Sequence, residues 1–305
     1  MAIPKGLEIN NVGFVLLLVI AILSSKVAEC ATFGSRRGLM ETVFDVTNYG
    51  AIPNTPADST RSLVFQTVKS SSINNINFVD SKGVHLKITD SNDISISNIK
   101  ITAPGTSPNT DGVHISETTN VNVTDSNIDT GDDCISIGHG TSNVYISNIN
   151  CGPGHGISVG SLGKRLDEKD VKGVVVRNCT FHGTSNGARI KTYMGSPSLQ
   201  VSDVVYEDIV LDDVRNPIFI DQHYHSKDKN EPSKVKLVDI HFKNIRGTTS
   251  TKAPVALNCS EAIPCEGVEL VDIDLAPFGA IGPLLPATCQ NAKTILGGKN
   301  NPPAC

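Results

Sequence analysis

One short pattern of apolar and polar positions recurs along most of the chain: apolar, any, apolar, any, Asn or Asp, apolar, any, apolar. It starts at Ser71, Ile94, Val121, Val144, Val174, Val204, Val235 and Val268, with Ser71 itself and Ser126 standing at positions that are apolar in the other copies. The fifth position reads Asn75, Asn98, Asp125, Asn148, Asn178, Asp208, Asp239 and Asp272. Asn and Asp tolerate left-handed backbone and bond locally, so this position predicts a bend between two short strands. Apolar residues one and three alternate as in a strand, and the bend returns residues six and eight to the same core.

Successive starts lie 23, 27, 23, 30, 30, 31 and 33 residues apart, which describes a 23-residue turn lengthened by loops. Runs of two to four residues rich in Val, Ile, Asn and Ser oppose a helical repeat, which needs a 3.6-residue period and helix formers. A unit this short cannot bury its apolar face alone, whereas parallel coils stacked about 4.8 Å apart bury a continuous one. The expectation is an all-β chain, a single-stranded right-handed parallel β-helix over residues 63–305.

Four polar clusters fall between these copies: Asn109-Thr110-Asp111, Gly131-Asp132-Asp133-Cys134, Gly154-His155-Gly156 and Arg189-Ile190-Lys191. Counted from their starts, Asp132 and His155 both lie eleven residues in, Asp133 twelve, Arg189 fifteen, and Asp111 and Lys191 seventeen. Stacking puts Asp132 and His155 one above the other and brings the rest to one face. Three carboxyls so placed meet the needs of glycoside hydrolysis, a protonated acid for the leaving oxygen and ionised bases for water. Crowded like charges raise at least one carboxyl pKa. His155 is placed to hold a carboxylate, and Arg189 and Lys191, two apart on one strand face, suit a carboxylated sugar.

The formal net charge of −5 carries no basic footprint for nucleic acid. Val12 to Leu23 is an apolar run after Lys5, and Ala28-Glu29-Cys30 offers a small-x-small exit, so residues 1–30 are expected to be a secretory signal, leaving no membrane segment. Seven cysteines follow it: Cys259 and Cys265 close a short loop, Cys289 and Cys305 bracket the tail, and Cys134 and Cys151 sit in neighbouring repeats. Cys179 is left over as a buried thiol. Without a CxxC pair a zinc site is not expected. His223 and His225 read as loop. Asn122, Asn178 and Asn258 open glycosylation acceptors.

The strings SPNTDGVHI, TGDDCISIG, CGPGHGISVGSLG and ARIKTY resemble the four signatures of the polygalacturonase family of glycoside hydrolases, most similar to the plant pollen-type exopolygalacturonases. The resemblance runs from about Leu63 to Cys305. It implies a pectin-lyase-like β-helix and an inverting, metal- and cofactor-free hydrolase of α-1,4-linked galacturonate, secreted to the cell wall and acting as a monomer on pectin. It implies Asp132 as general acid, Asp111 and Asp133 as water-activating carboxylates, and His155 as support. Arg189, Lys191, Asn109 and Tyr224 are implied as substrate contacts.

Phe44 to Ala51 resembles the family's opening strand, yet Asp58 to Ser62 leads almost directly into the coil at Leu63. Residues 31–62 thus read as a remnant of an N-terminally truncated scaffold. Two other readings compete: a lyase on the same architecture, which would use Ca²⁺ and give unsaturated products, and a non-catalytic wall-binding paralogue that retains pectin without cutting it.

Overall fold

The computed structural model describes residues 62–224 and 231–305, together with the backbone of Glu8–Ile9. Otherwise the expected signal segment, the segment 31–61 and His225 lie outside the described residues. Among those described there is no helix, and none that would cross a membrane.

The strands form two sheets paired in parallel throughout, a right-handed parallel β-helix. One sheet runs Glu8–Ile9, Leu63–Gln66, Leu86–Thr89, Val113–Ser116, Ile135–Ile137, Ile157–Leu162, Asn186–Tyr193, Asn216–Tyr224, Val255–Asn258 and Thr288–Gln290. The other is built on Lys69–Asn74, Asn92–Ser97, Thr119–Asp129, Ser142–Cys151, Val171–His182, Leu199–Asp212, Val235–Thr249, Cys265–Pro277 and Ala292–Gly297. His223 falls in a strand rather than in the loop expected of it, because Ile218, Ile220 and Gln222 continue the inward alternation to the strand's end.

Apolar columns run through the interior. Ile94, Val121, Val144, Val174, Val204, Ile240 and Val268 are in register and buried. Each such side chain contributes about 1.5–3 kcal/mol when fully buried. Beside them Tyr206 stacks on Phe242 with centroids 5.7 Å apart.

The bends adopt the expected conformation. Asn75, Asn98, Asp125, Asn148, Asn178, Asp208 and Asp272 have φ between 50° and 56°. Their side chains form a ladder: Asn148 Nδ2 donates to Asp125 Oδ1 at 2.9 Å and Asn178 Nδ2 to Asn148 Oδ1 at 2.6 Å. One copy is corrected. Val204 aligns with Ile240, not Val235, and the seventh bend is Asn244, which donates to Asp208. The shift arises because a second left-handed column, just before each first apolar position, also selects Asp, Asn or Gly: Asp93, Asn120, Asn143, Gly173, Asp203, Asp239 and Gly267. Asp239 belongs to that column.

Disulfides join Cys134 to Cys151, Cys259 to Cys265 and Cys289 to Cys305. Cys179 is a buried free thiol in the strand Val171–His182, its pKa pushed up to about 12 by burial.

Asn148 supplies both a left-handed bend and two ladder contacts. Asn148→Val is expected to cost about 2–3 kcal/mol in denaturant unfolding, and Asn148→Gly about 1 kcal/mol because it keeps the backbone and loses only the ladder. Equal losses would show that the side-chain ladder, not the backbone, sets the cost.

Candidate active site

Four neighbouring strands carry the site. Val113, Ile135, Ile157 and Ala188 are paired in register and point inward, so the next residues, His114, Ser136, Ser158 and Arg189, form an outward row. Asp111, Asp133 and His155 precede these strands by two residues and occupy equivalent places in successive turns. The turns are tight: Gly156 has φ of 82°, and a Cβ there would stand 2.2 Å from the Asn186 carbonyl. Only glycine fits.

His155 sits over Asp132, as its phase predicts. Its amide donates to the Asp132 carbonyl at 2.8 Å, and its Nδ1 lies 2.9 Å from Asp132 Oδ1. The same Oδ1 accepts from the Asp133 amide at 2.9 Å, which leaves the other oxygen for the cleft. Asp133 is buried and fully engaged: Ser158 donates to Oδ1 at 2.7 Å and Lys191 Nζ to Oδ2 at 2.6 Å. Ser136 donates to Asp111 Oδ2 at 2.6 Å. Its one hydrogen being spent there, Ser136 accepts from His114 Nδ1 at 2.8 Å.

These surroundings separate the carboxyls. Burial, then the charges of Asp133 and Asp132, raises Asp111 to about 6. Burial also pushes Asp132 upward, but the hydrogen bond and charge of His155, with Lys191, outweigh it and hold this carboxyl below its ordinary value. Burial, reinforced by the charges of Lys87, His139 and Lys191, lowers His114 to about 4, so it is neutral.

Asn109, Asp111, His114, Asp132, Asp133, Ser136, Lys164, Lys191, Tyr193 and Tyr224 line a cleft of about 410 Å³. Arg189 and Lys191 share one side, their charged ends 5.6 and 5.7 Å from the Tyr224 ring centroid. Tyr224 meets Tyr193 edge to face at 5.3 Å. Arg189 Nε is buried without a hydrogen-bond partner among the described residues. Tyr206, rooted in the opposite sheet, reaches through the interior to donate to the carbonyls of Ile157 and Arg189, bracing the strands from behind.

Of the expected residues, Asn109, Asp111, Asp132, Asp133, Lys191 and Tyr224 line the cleft, while His155 and Arg189 adjoin it through Asp132 and Tyr224. Sequence reading missed His114, Ser136, Ser158, Lys164 and Tyr193. The outward row was readable in principle, since His114, Ser136 and Ser158 occupy the middle of three matching apolar-x-apolar runs. Asp132, Asp133 and His155 also bring ligand-type atoms within 4.8 Å of one another, but both Asp133 oxygens are engaged by Ser158 and Lys191, and His155 Nδ1 by Asp132.

Residues 47–299 match the glycosyl hydrolases family 28. A polygalacturonase of Nicotiana tabacum is 48% identical over 80% of this chain and 62% of its own length. An exopolygalacturonase of Arabidopsis thaliana is 47% identical over 80% of this chain and 59% of its own. The chain thus spans about three fifths of the length of these relatives. The solved polygalacturonase of Erwinia carotovora superposes with a TM-score of 0.58 at 27% identity, covering 77% of this chain and 60% of that one.

Ser136 stabilises the ionised form of Asp111, so Ser136→Ala is expected to raise the Asp111 pKa further, by about one unit, in a carboxyl NMR titration. Ser158→Ala, which contacts Asp133 instead, should move it far less. An unmoved Asp111 in the first variant would show that the hydroxyl does not hold this carboxylate.

Proposed function

The chain belongs to glycosyl hydrolase family 28, and from that premise we propose that it hydrolyses α-1,4-galacturonosyl linkages of polygalacturonate with inversion, from chain ends, as a secreted monomer. The observation that carries the proposal is the three-carboxyl group on adjacent coils, with its accessible members at opposed pKa values, facing a cleft walled by cations and tyrosines. Chain-end action is supported by the Arabidopsis relative's description as an exopolygalacturonase. Asn122 and Asn178 are exposed and are the proposed glycan acceptors, while Asn258 is half-buried.

In the proposed reaction Asp132 gives its proton to the glycosidic oxygen as the bond to the anomeric carbon breaks. Asp111 takes a proton from the water that attacks the opposite face of that carbon. The triad loses one proton and gains one, ending with Asp111 protonated and Asp132 ionised. That is the distribution of the free site below about pH 6. Substrate carboxylates entering beside Asp132 and displacing water raise its pKa, which draws the proton back for the next turnover. Asp133, with both oxygens occupied, serves mainly to anchor Lys191 and to keep Asp111 basic enough to accept.

Asp132→Asn keeps an acceptor for His155 while removing the transferable proton. It is expected to reduce release of reducing ends from polygalacturonate by about a thousandfold or more without changing the circular dichroism spectrum. Full activity in that variant would sink the assignment.

The pH profile follows from Asp111. Above about 6 Asp111 has lost the proton that it returns to Asp132, so kcat/KM should fall about tenfold per pH unit as pH rises beyond that point. A flat profile up to pH 8 would rule out a triad that must hold one proton.

A further inference from the structure

The cations of the cleft wall differ in what already occupies them. Lys191 is buried and paired with Asp133, and Arg189 lies against Tyr224. Lys164 is exposed, lines the same cleft, rests its ammonium 5.9 Å from the Tyr193 ring centroid, and pairs with no carboxylate among the described residues. The contacts run Lys164, Tyr193, Tyr224, Arg189, so the two aromatic rings connect two separate cationic points.

The backbone beneath Lys164 is held. The Glu168 carboxylate accepts from the amides of Gly163 at 2.6 Å, Lys164 at 3.1 Å and Arg165 at 3.0 Å, tying the loop into a closed turn. Gly163 has φ of 85°, and a Cβ there would meet Ser196 Cβ at 2.3 Å, so the loop base sits hard against the next coil. Arg165 reaches His139 and Lys169 pairs with Glu117, fixing the loop to earlier coils. The tied loop thus presents an ammonium that pairs with no carboxylate among the described residues to a cleft that also holds three carboxyls. Polyanionic substrate meets repulsion from those acids, and Lys191 is spent on one of them.

We propose that Lys164, with Tyr193 beneath it, binds the carboxylate of a second uronate unit adjoining the one held by Arg189 and Tyr224. The inference rests on the hydrolase reading for the identity of the polymer. It makes Lys164 a specificity-determining residue: it favours runs of free uronates over esterified ones, because an ester offers no charge to the ammonium.

Calorimetric titration of trigalacturonate into the full Asp132→Asn chain, with and without Lys164→Gln, tests this independently of turnover. The added substitution is expected to raise Kd about tenfold at low salt, with the gap closing near 0.5 M salt, where charge is screened to a few ångströms. Lys164→Arg should stay within about threefold of the parent, and the fully methyl-esterified trimer should bind both chains alike. Equal affinities of the two chains for trigalacturonate would overturn the inference, and so would binding to neither. Lys164-dependent binding by a wild-type chain that releases no reducing ends would overturn the hydrolase reading and leave the second carboxylate site standing.

Discussion

Parallel, in-register hydrogen bonding between successive coils is the constraint on which everything else rests. It converts a position within a turn into a position along a column, so residues 22 to 37 apart in successive coils from Leu63 onward become neighbours, as Asp111 with Asp133 and Asp132 with His155 illustrate. The left-handed Asn and Asp columns keep that phase. A bend one residue early would turn the apolar set outward and disperse the outward row His114, Ser136, Ser158 and Arg189. The same scaffold therefore supplies stability and active-site geometry, and loops between the bends vary without disturbing either.

Within the cleft, the buried Asp133 to Lys191 pair sets the electrostatic terms. A buried pair stabilises little by itself, yet either partner left alone would be costly. With Lys191 committed to one carboxylate, Asp132 takes its low pKa chiefly from His155, while Asp111 is left among like charges in a poorly solvated corner. Proton occupancy is thus divided by burial and carboxyl repulsion at Asp111 and by the His155 contact at Asp132.

Most of this was legible in the chain because a β-helix writes its tertiary contacts as phase. The stacking of His155 on Asp132 followed from counting, and the left-handed fifth position followed from an unbroken series of Asn and Asp. Counting failed at Asp239, where two columns demand the same residue types and the inserted loop before Val235 hid which one was being read. The relay through Ser136 and the serine on Asp133 were harder to see, since Ser is also the ordinary filler of solvent-facing strand positions. Lys164 was invisible for a different reason: its importance comes from having no carboxylate partner among the described residues, and pairing is known only once Lys191 and Asp133 are placed.

The Tyr206 brace and the edge-to-face rings give the molecule a property unrelated to its chemistry. The chain has no tryptophan and five tyrosines. Tyr193 and Tyr224 line the cleft, and Tyr206 hydrogen-bonds to the strands behind it. Three of the five tyrosines thus lie in or directly behind the cleft, so its occupancy is expected to change the intrinsic tyrosine fluorescence without any attached label.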